Sequence, residues 1–176
     1  MTIRAIALLL LSPSALATAN TNQLKDADVI RQLLETNICI ACDLREAKLE
    51  EANLNGANLR GANLWSAQLQ RAELTRANLV NAVLRQADLS DTTLVYANLR
   101  NADLREANLT NIFLTYADLR GAVLENASLV NAYLKGANLE GANLKGANLE
   151  GAEWREAVFC NTILPDGIIS NRDCNL

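Results

Sequence analysis

The apolar positions of this chain recur on a beat of five. Cut from Cys42, the sequence reads CDLRE, AKLEE, ANLNG, ANLRG, ANLWS and so on to TILPD, ending at Asp166, which makes 25 consecutive pentapeptides without an insertion. The third position is Leu in the first 22 of these (Leu44 through Leu149), followed by Trp154, Phe159 and Leu164. The first position is Ala except at Cys42, Thr92, Ile112 and Thr162. A helix cannot use this pattern: five residues advance about 140° beyond a full turn, so successive leucines would spiral around the cylinder. A flat strand fails because five is odd and successive leucines would alternate between faces. Within one frame, however, Ala and Leu stand two apart and point the same way. The pattern therefore predicts a chain that runs extended for a few residues and then turns, once per frame. Repetition closes a polygon with Ala and Leu inside, whose coils stack at about 4.8 Å and pair their backbones.

The departures from the beat set the number of sides. Thr92 and Ile112, Tyr96 and Tyr116, and Phe113 and Tyr133 are each 20 residues apart. A period of 20 means four frames per coil, about six coils, and a rod roughly 30 Å long at the strand spacing. Each buried Leu contributes roughly 1.5–3 kcal/mol. Gly at the fifth position, as at Gly56, Gly121 and Gly136, suits a corner where a Cβ would crowd the bend. Asn or Asp before the Leu can bond local backbone near the turn.

The tandem A(N/D)LXX motif across 42–166 resembles the pentapeptide repeat family. The resemblance implies an all-β solenoid, a right-handed quadrilateral β-helix with the Leu and a small residue inside. An open solenoid end exposes apolar core and unpaired backbone, so it needs a cap. Residues 20–41 are expected to be a short N-terminal α-helical cap. Leu24, Val29, Ile30, Leu33 and Leu34 form its apolar face. At the other end Trp154 and Phe159 replace core leucines, Pro165-Asp166-Gly167 marks a turn, and residues 167–176 fold back as a C-terminal cap.

Residues 1–19 differ from the rest. Arg4, the apolar run Ile6 to Leu11 and the small-residue stretch before Ala17 and Ala19 read as a signal peptide. The apolar run is too short to span a bilayer, so no membrane attachment is expected once the segment is cleaved. Four cysteines stand at Cys39, Cys42, Cys160 and Cys174. The rod separates the two pairs by far more than a disulfide can reach, which leaves Cys39–Cys42 and Cys160–Cys174 as candidate bridges. Export to an oxidising compartment agrees with this. A redox-active CxxC at 39–42 is the alternative, but its usual βαβ context is missing.

Composition narrows the chemistry. The chain has no histidine, which removes the commonest general base and metal ligand, and neither a catalytic, a cofactor nor a metal site is expected. The repeat region holds 12 basic and 16 acidic residues, interspersed. This argues against nucleic-acid binding and makes a poor polyanion. Taking frames in rotation with 42–46 as side one, side three holds every Tyr and one of the two Phe. Val95, Tyr96, Phe113, Tyr116, Tyr133 and Lys135 form a candidate interaction patch there. Cross-coil aromatic packing that only stabilises the rod is the competing reading. Arg85 and Arg105 on side one, and Arg60, Arg100 and Arg120 on side four, stand among acidic neighbours and read as a solvated mixed-charge surface.

The expectation is a non-enzymatic structural or protein-interaction module with an unidentified protein partner. The family has many cyanobacterial members, and FCNTILPDG…C looks like its secreted ones, which implies the periplasm or thylakoid lumen. Some members present a DNA-like acidic surface to gyrase. That alternative fits neither the interspersed charges nor an exported chain.

Overall fold

The computed structural model describes residues 21–174. The expected signal peptide lies outside the described residues, as does the side chain of Leu24. Helix α1 spans Thr21–Thr36. It is followed by a ladder of parallel bridges, each between residues 20 apart, running from Ile38↔Asn58 to Asn143↔Ile163. The bridged residue is always the second of a frame, so each side contributes one paired residue before the chain turns. Longer strands cannot form because the corner comes too soon. At the C-terminal end two short strands, β1 (Thr162–Ile163) and β2 (Ile169–Ser170), pair antiparallel.

Four of the five backbone N–H groups in an interior frame have a fixed destination. That of the second residue donates to the coil below, as Asn63 to the Cys42 carbonyl. Those of the third and fifth residues donate to the coil above, as Leu44 to Asn63 and Glu46 to Trp65. The first residue closes the corner behind it, as Ala47 to Leu44. In many frames the fourth finds the Asn or Asp side chain two residues earlier, as Thr110 to Asn108 Oδ1 at 3.2 Å. The Asn/Asp preference is thus a corner device, supplying the acceptor that the bend denies the backbone.

The corner has a second requirement. The fifth residue takes positive φ in every frame from Glu46 to Asn161, whether or not it is Gly. With the three-residue bond across it, this is the pattern of a type II turn. Glu, Arg, Gln and Tyr at this position each sit in the left-handed region, at a cost of roughly 1–2 kcal/mol. The inter-coil bonds and the apolar interior offset it.

The interior is as the beat demands, with Leu and Ala from Leu44 to Ala147 buried in one continuous column. Leu33 of α1 is buried in the same core, with Val29 and Ile30 packed against it, over the N-terminal opening. Asn37, in left-handed conformation, ends the helix and donates its N–H to the Leu33 carbonyl.

Two details depart from expectation at the ends. The ladder starts at Ile38, inside the segment read as cap. Residues 37–41 are a first frame whose inward third position is Cys39, almost fully buried. Trp154 does not replace a core leucine. It is 42% exposed, with the Phe159 ring edge-on to it at 5.8 Å and no further coil of the described residues above it.

Candidate functional site

Side three brings the predicted aromatic residues together as two columns along the rod. Tyr96 and Tyr116, both fifth residues, stack with centroids 5.4 Å apart and planes 11° apart. Phe113 and Tyr133, both second residues, stack at 4.8 Å and 3°. Tyr96, Tyr116, Phe113 and Tyr133 remain 53%, 44%, 39% and 38% exposed in that order. The 20-residue register places identical corner positions one coil apart, close to the contact distance of stacked rings.

The stacking decides which part of each ring meets solvent. Ring faces turn toward one another along the rod, so their edges point outward. Arg76 lies over the other face of Tyr96, 5.8 Å from its centroid. The Tyr116 ring lies against Gly136, in the space a Cβ on that residue would take. The Tyr column has a neighbour at each end, Arg76 and Gly136, which narrows the ring face open to a sugar or base. What it offers is a ridge of ring edges, flanked by half-buried Val95 and Thr115, with no charged residue on this side between Arg76 and Lys135. Lys135 marks the upper border and pairs with Glu156 at 3.8 Å. Stacking and exposure coexist in one arrangement.

Gly136→Ala tests the column. The added Cβ collides with the Tyr116 ring, and the residue is held at φ +65°. The expected loss is about 1–3 kcal/mol, with a weakened near-ultraviolet circular dichroism signal from the tyrosines. Unchanged stability and spectrum would mean that Gly136 does not seat the ring.

Beneath this side stand the inward substitutions Thr92 and Ile112, both fully buried. The Thr92 hydroxyl donates to the Leu69 carbonyl at 2.8 Å, so the polar atom is satisfied. Trp65, on the fourth position of side one, is an exposed apolar residue that a count of Tyr and Phe leaves out. Its place in the frame already marks it as outward.

The cysteines lie at opposite ends, away from the aromatic side. Cys39 is joined to Cys42 and Cys160 to Cys174. The first bridge spans the first corner. There the third-to-first backbone bond found at Leu44–Ala47 and beyond is missing, and the disulfide holds the same two residues instead.

Two of the column arginines, Arg105 and Arg120, are tied locally. Arg105 makes paired hydrogen bonds to Asp103 within its own frame, with Nε to Oδ1 at 2.7 Å, and Arg120 does the same to Asp118. Burial, the largest single influence, pushes both carboxyls up. The hydrogen bonds and charge of Arg105 and Arg120, with the nearby charges of Arg85 and Arg100, outweigh it and hold both below the ordinary Asp value. Among the described residues, the surface has only shallow open grooves, such as that along Arg100, Arg120 and Glu140, and no helix is long and apolar enough to cross a membrane.

The repeat beat is also found in known proteins. The sequence profile of the pentapeptide repeats matches residues 38–76, 72–111, 102–141 and 142–171. HetL, a pentapeptide repeat protein of Nostoc sp. strain PCC 7120 involved in heterocyst differentiation regulation, is 32% identical over 76% of this chain and 78% of its own, with a TM-score of 0.39. Rfr23, a pentapeptide repeat protein of Cyanothece 51142, is 26% identical over 78% of this chain and 98% of its own, with a TM-score of 0.43. A pentapeptide repeat protein from the thylakoid lumen of Arabidopsis thaliana is 20% identical over 82% and 94%, with a TM-score of 0.24. A search of the curated proteins found no match. Frame, register and profile agree, and the chain belongs to the pentapeptide repeat family, whose fold is the right-handed quadrilateral β-helix.

Proposed function

We propose that this protein is a non-enzymatic interaction module working outside the cytosol, in the periplasm or thylakoid lumen, and that side three meets a protein partner. The observation that carries the reading is the ridge formed by Tyr96, Tyr116, Phe113 and Tyr133, exposed, uncharged and fixed by stacking. Rigid aromatic groups give up little conformational entropy on binding, and they dominate contact energies at protein interfaces. The narrowed ring face disfavours flat ligands, and the absence of an enclosing cleft among the described residues disfavours small substrates. The two disulfides support an oxidising compartment, together with the leader pattern of residues 1–19.

The test is capture of partners by the tagged protein from its own compartment, beside a Tyr96→Ser, Tyr116→Ser, Tyr133→Ser variant. The variant is expected to fold and to lose partner binding by about tenfold or more. Retention of every interaction by a folded variant sinks the side-three reading. An uncleaved chain recovered from the cytosol sinks the compartment.

A further inference from the structure

The rod is closed at one end and half open at the other. At the N-terminal end, Leu33 is buried in the core beneath α1. At the C-terminal end the described part of the tail, to Cys174, covers only part of the last coil. On side four it supplies what a further coil would have supplied. The Asp173 carboxylate accepts from the Phe159 N–H at 2.9 Å. The Arg172 guanidinium donates to the Ala157 carbonyl at 3.0 Å and lies over the Phe159 ring at 4.7 Å. On side one, β2 pairs with β1.

Among the described residues, sides two and three receive no such cover. Among the described residues, the N–H groups of Leu149, Gly151, Trp154 and Glu156 and the carbonyls of Ala147 and Ala152 have no partner. In interior coils the same positions bond to the coil above. Leu149 and Ala152 are only partly buried, and Trp154 is exposed. Two adjacent sides therefore present four donors and two acceptors in the register of a missing coil, with apolar side chains inside them. An unprotected edge of this kind is a template for strand addition.

The charges around the edge select what adds to it. Glu150, Glu153 and Glu156 are all exposed, and Arg155 is the only basic residue between 147 and 156. Glu156 is engaged by Lys135 from the coil below, whereas Glu150 and Glu153 make no ion pair among the described residues. Two such edges facing each other would bring two acidic rims together. The opposite end of a second copy has its core opening under α1. Both self-associations are disfavoured, and complementarity points to a basic segment.

We propose that the open half of the C-terminal coil is a docking edge for an extended, basic segment of another protein. The segment adds as a parallel strand over sides two and three. Its carbonyls accept from Leu149, Gly151, Trp154 and Glu156. Its N–H groups donate to Ala147 and Ala152, its small or apolar residues cover Leu149 and Trp154, and its Lys and Arg face Glu150 and Glu153. The site adjoins the aromatic ridge, one coil above Tyr133 on side three, but it is carried by the unpaired backbone and not by the rings.

The probe is a labelled ten-residue peptide of two Ala-Lys-Leu-Arg-Lys frames, titrated into the full chain and read by fluorescence anisotropy and by amide chemical shifts. Saturable binding is expected, with shifts at Leu149, Gly151, Trp154 and Glu156 and none near Leu89 or Leu94. Affinity should fall about tenfold or more for a Glu150→Lys, Glu153→Lys variant of unchanged thermal stability. It should fall comparably when the second-position amides of the peptide are N-methylated. Equal binding of a peptide with Glu in place of every Lys and Arg would overturn the proposal. So would insensitivity to methylation, absence of binding at millimolar peptide, or a self-associated chain whose edge is already occupied.

Discussion

Leu104→Ala is expected to lower the unfolding free energy by about 2–5 kcal/mol. Leu104 is fully buried, with coils on both sides of it. Its truncation removes transfer energy and leaves a cavity that close neighbours cannot fill, because each is held by its own corner. The interior is built almost wholly from two residue types, and no flexible side chain such as Met stands nearby to fill the gap. For a chain of this size the loss corresponds to a fall in melting temperature of roughly 2–4 °C per kcal/mol. Leu149→Ala is the control. It removes the same atoms from the same frame position, but in the last coil, where Leu149 is only partly buried. Its expected cost is under about 2 kcal/mol. Thermal and denaturant unfolding followed by circular dichroism measure both. Equal costs would contradict a solenoid in which each coil rests on its neighbours, because position along the rod would then have no effect.

The repeat itself is legible in the sequence because its physics is local. Ala and Leu two apart, once per five residues, admit few backbones, and the 20-residue spacing of Tyr96 and Tyr116 already counts the sides. Four features are not legible, each for its own reason. Cys39 sits in the place of a core Leu, and NICIA lacks both marks of a frame, so the first frame reads as cap. Trp154 keeps the beat but has no further coil of the described residues above it, and periodicity does not say where stacking stops. The left-handed corner is set by backbone geometry, and fifth positions as different as Arg76, Gln86 and Tyr116 hide a requirement that Gly alone would have announced. The aromatic side emerges from counting residues. That the rings turn edge-out follows from the coil spacing, which stacks equivalent rings face to face, and this changes the ligand class the side can accept. The half-open C-terminal edge lies beyond sequence reasoning altogether, since it depends on how far the tail folds back.

Cys160→Ser with Cys174→Ser is expected to remove about 3 kcal/mol, the loop-closure value for a 15-residue ring. Cys39→Ser with Cys42→Ser closes a ring of four residues, for which the same relation gives about 2 kcal/mol. The more telling expectation concerns where the loss falls. In a solenoid each coil contacts only its neighbours, so a released end frays before the middle opens. Freeing Cys174 lets the tail lift. Phe159 then loses the Arg172 guanidinium above its ring, its N–H loses Asp173, and the Ala157 carbonyl loses its donor. Hydrogen exchange should quicken at Ala157, Val158, Phe159 and Ile163 and stay slow at Leu89, Leu94 and Leu99. In the N-terminal pair of substitutions the affected amides should be Cys39, Ala41 and Asn58, whose bonds join the first frame to the coil above it. Exchange that quickens evenly along the rod would show that the disulfides act on the unfolded chain alone. In that case the ends would share one cooperative unit with the middle.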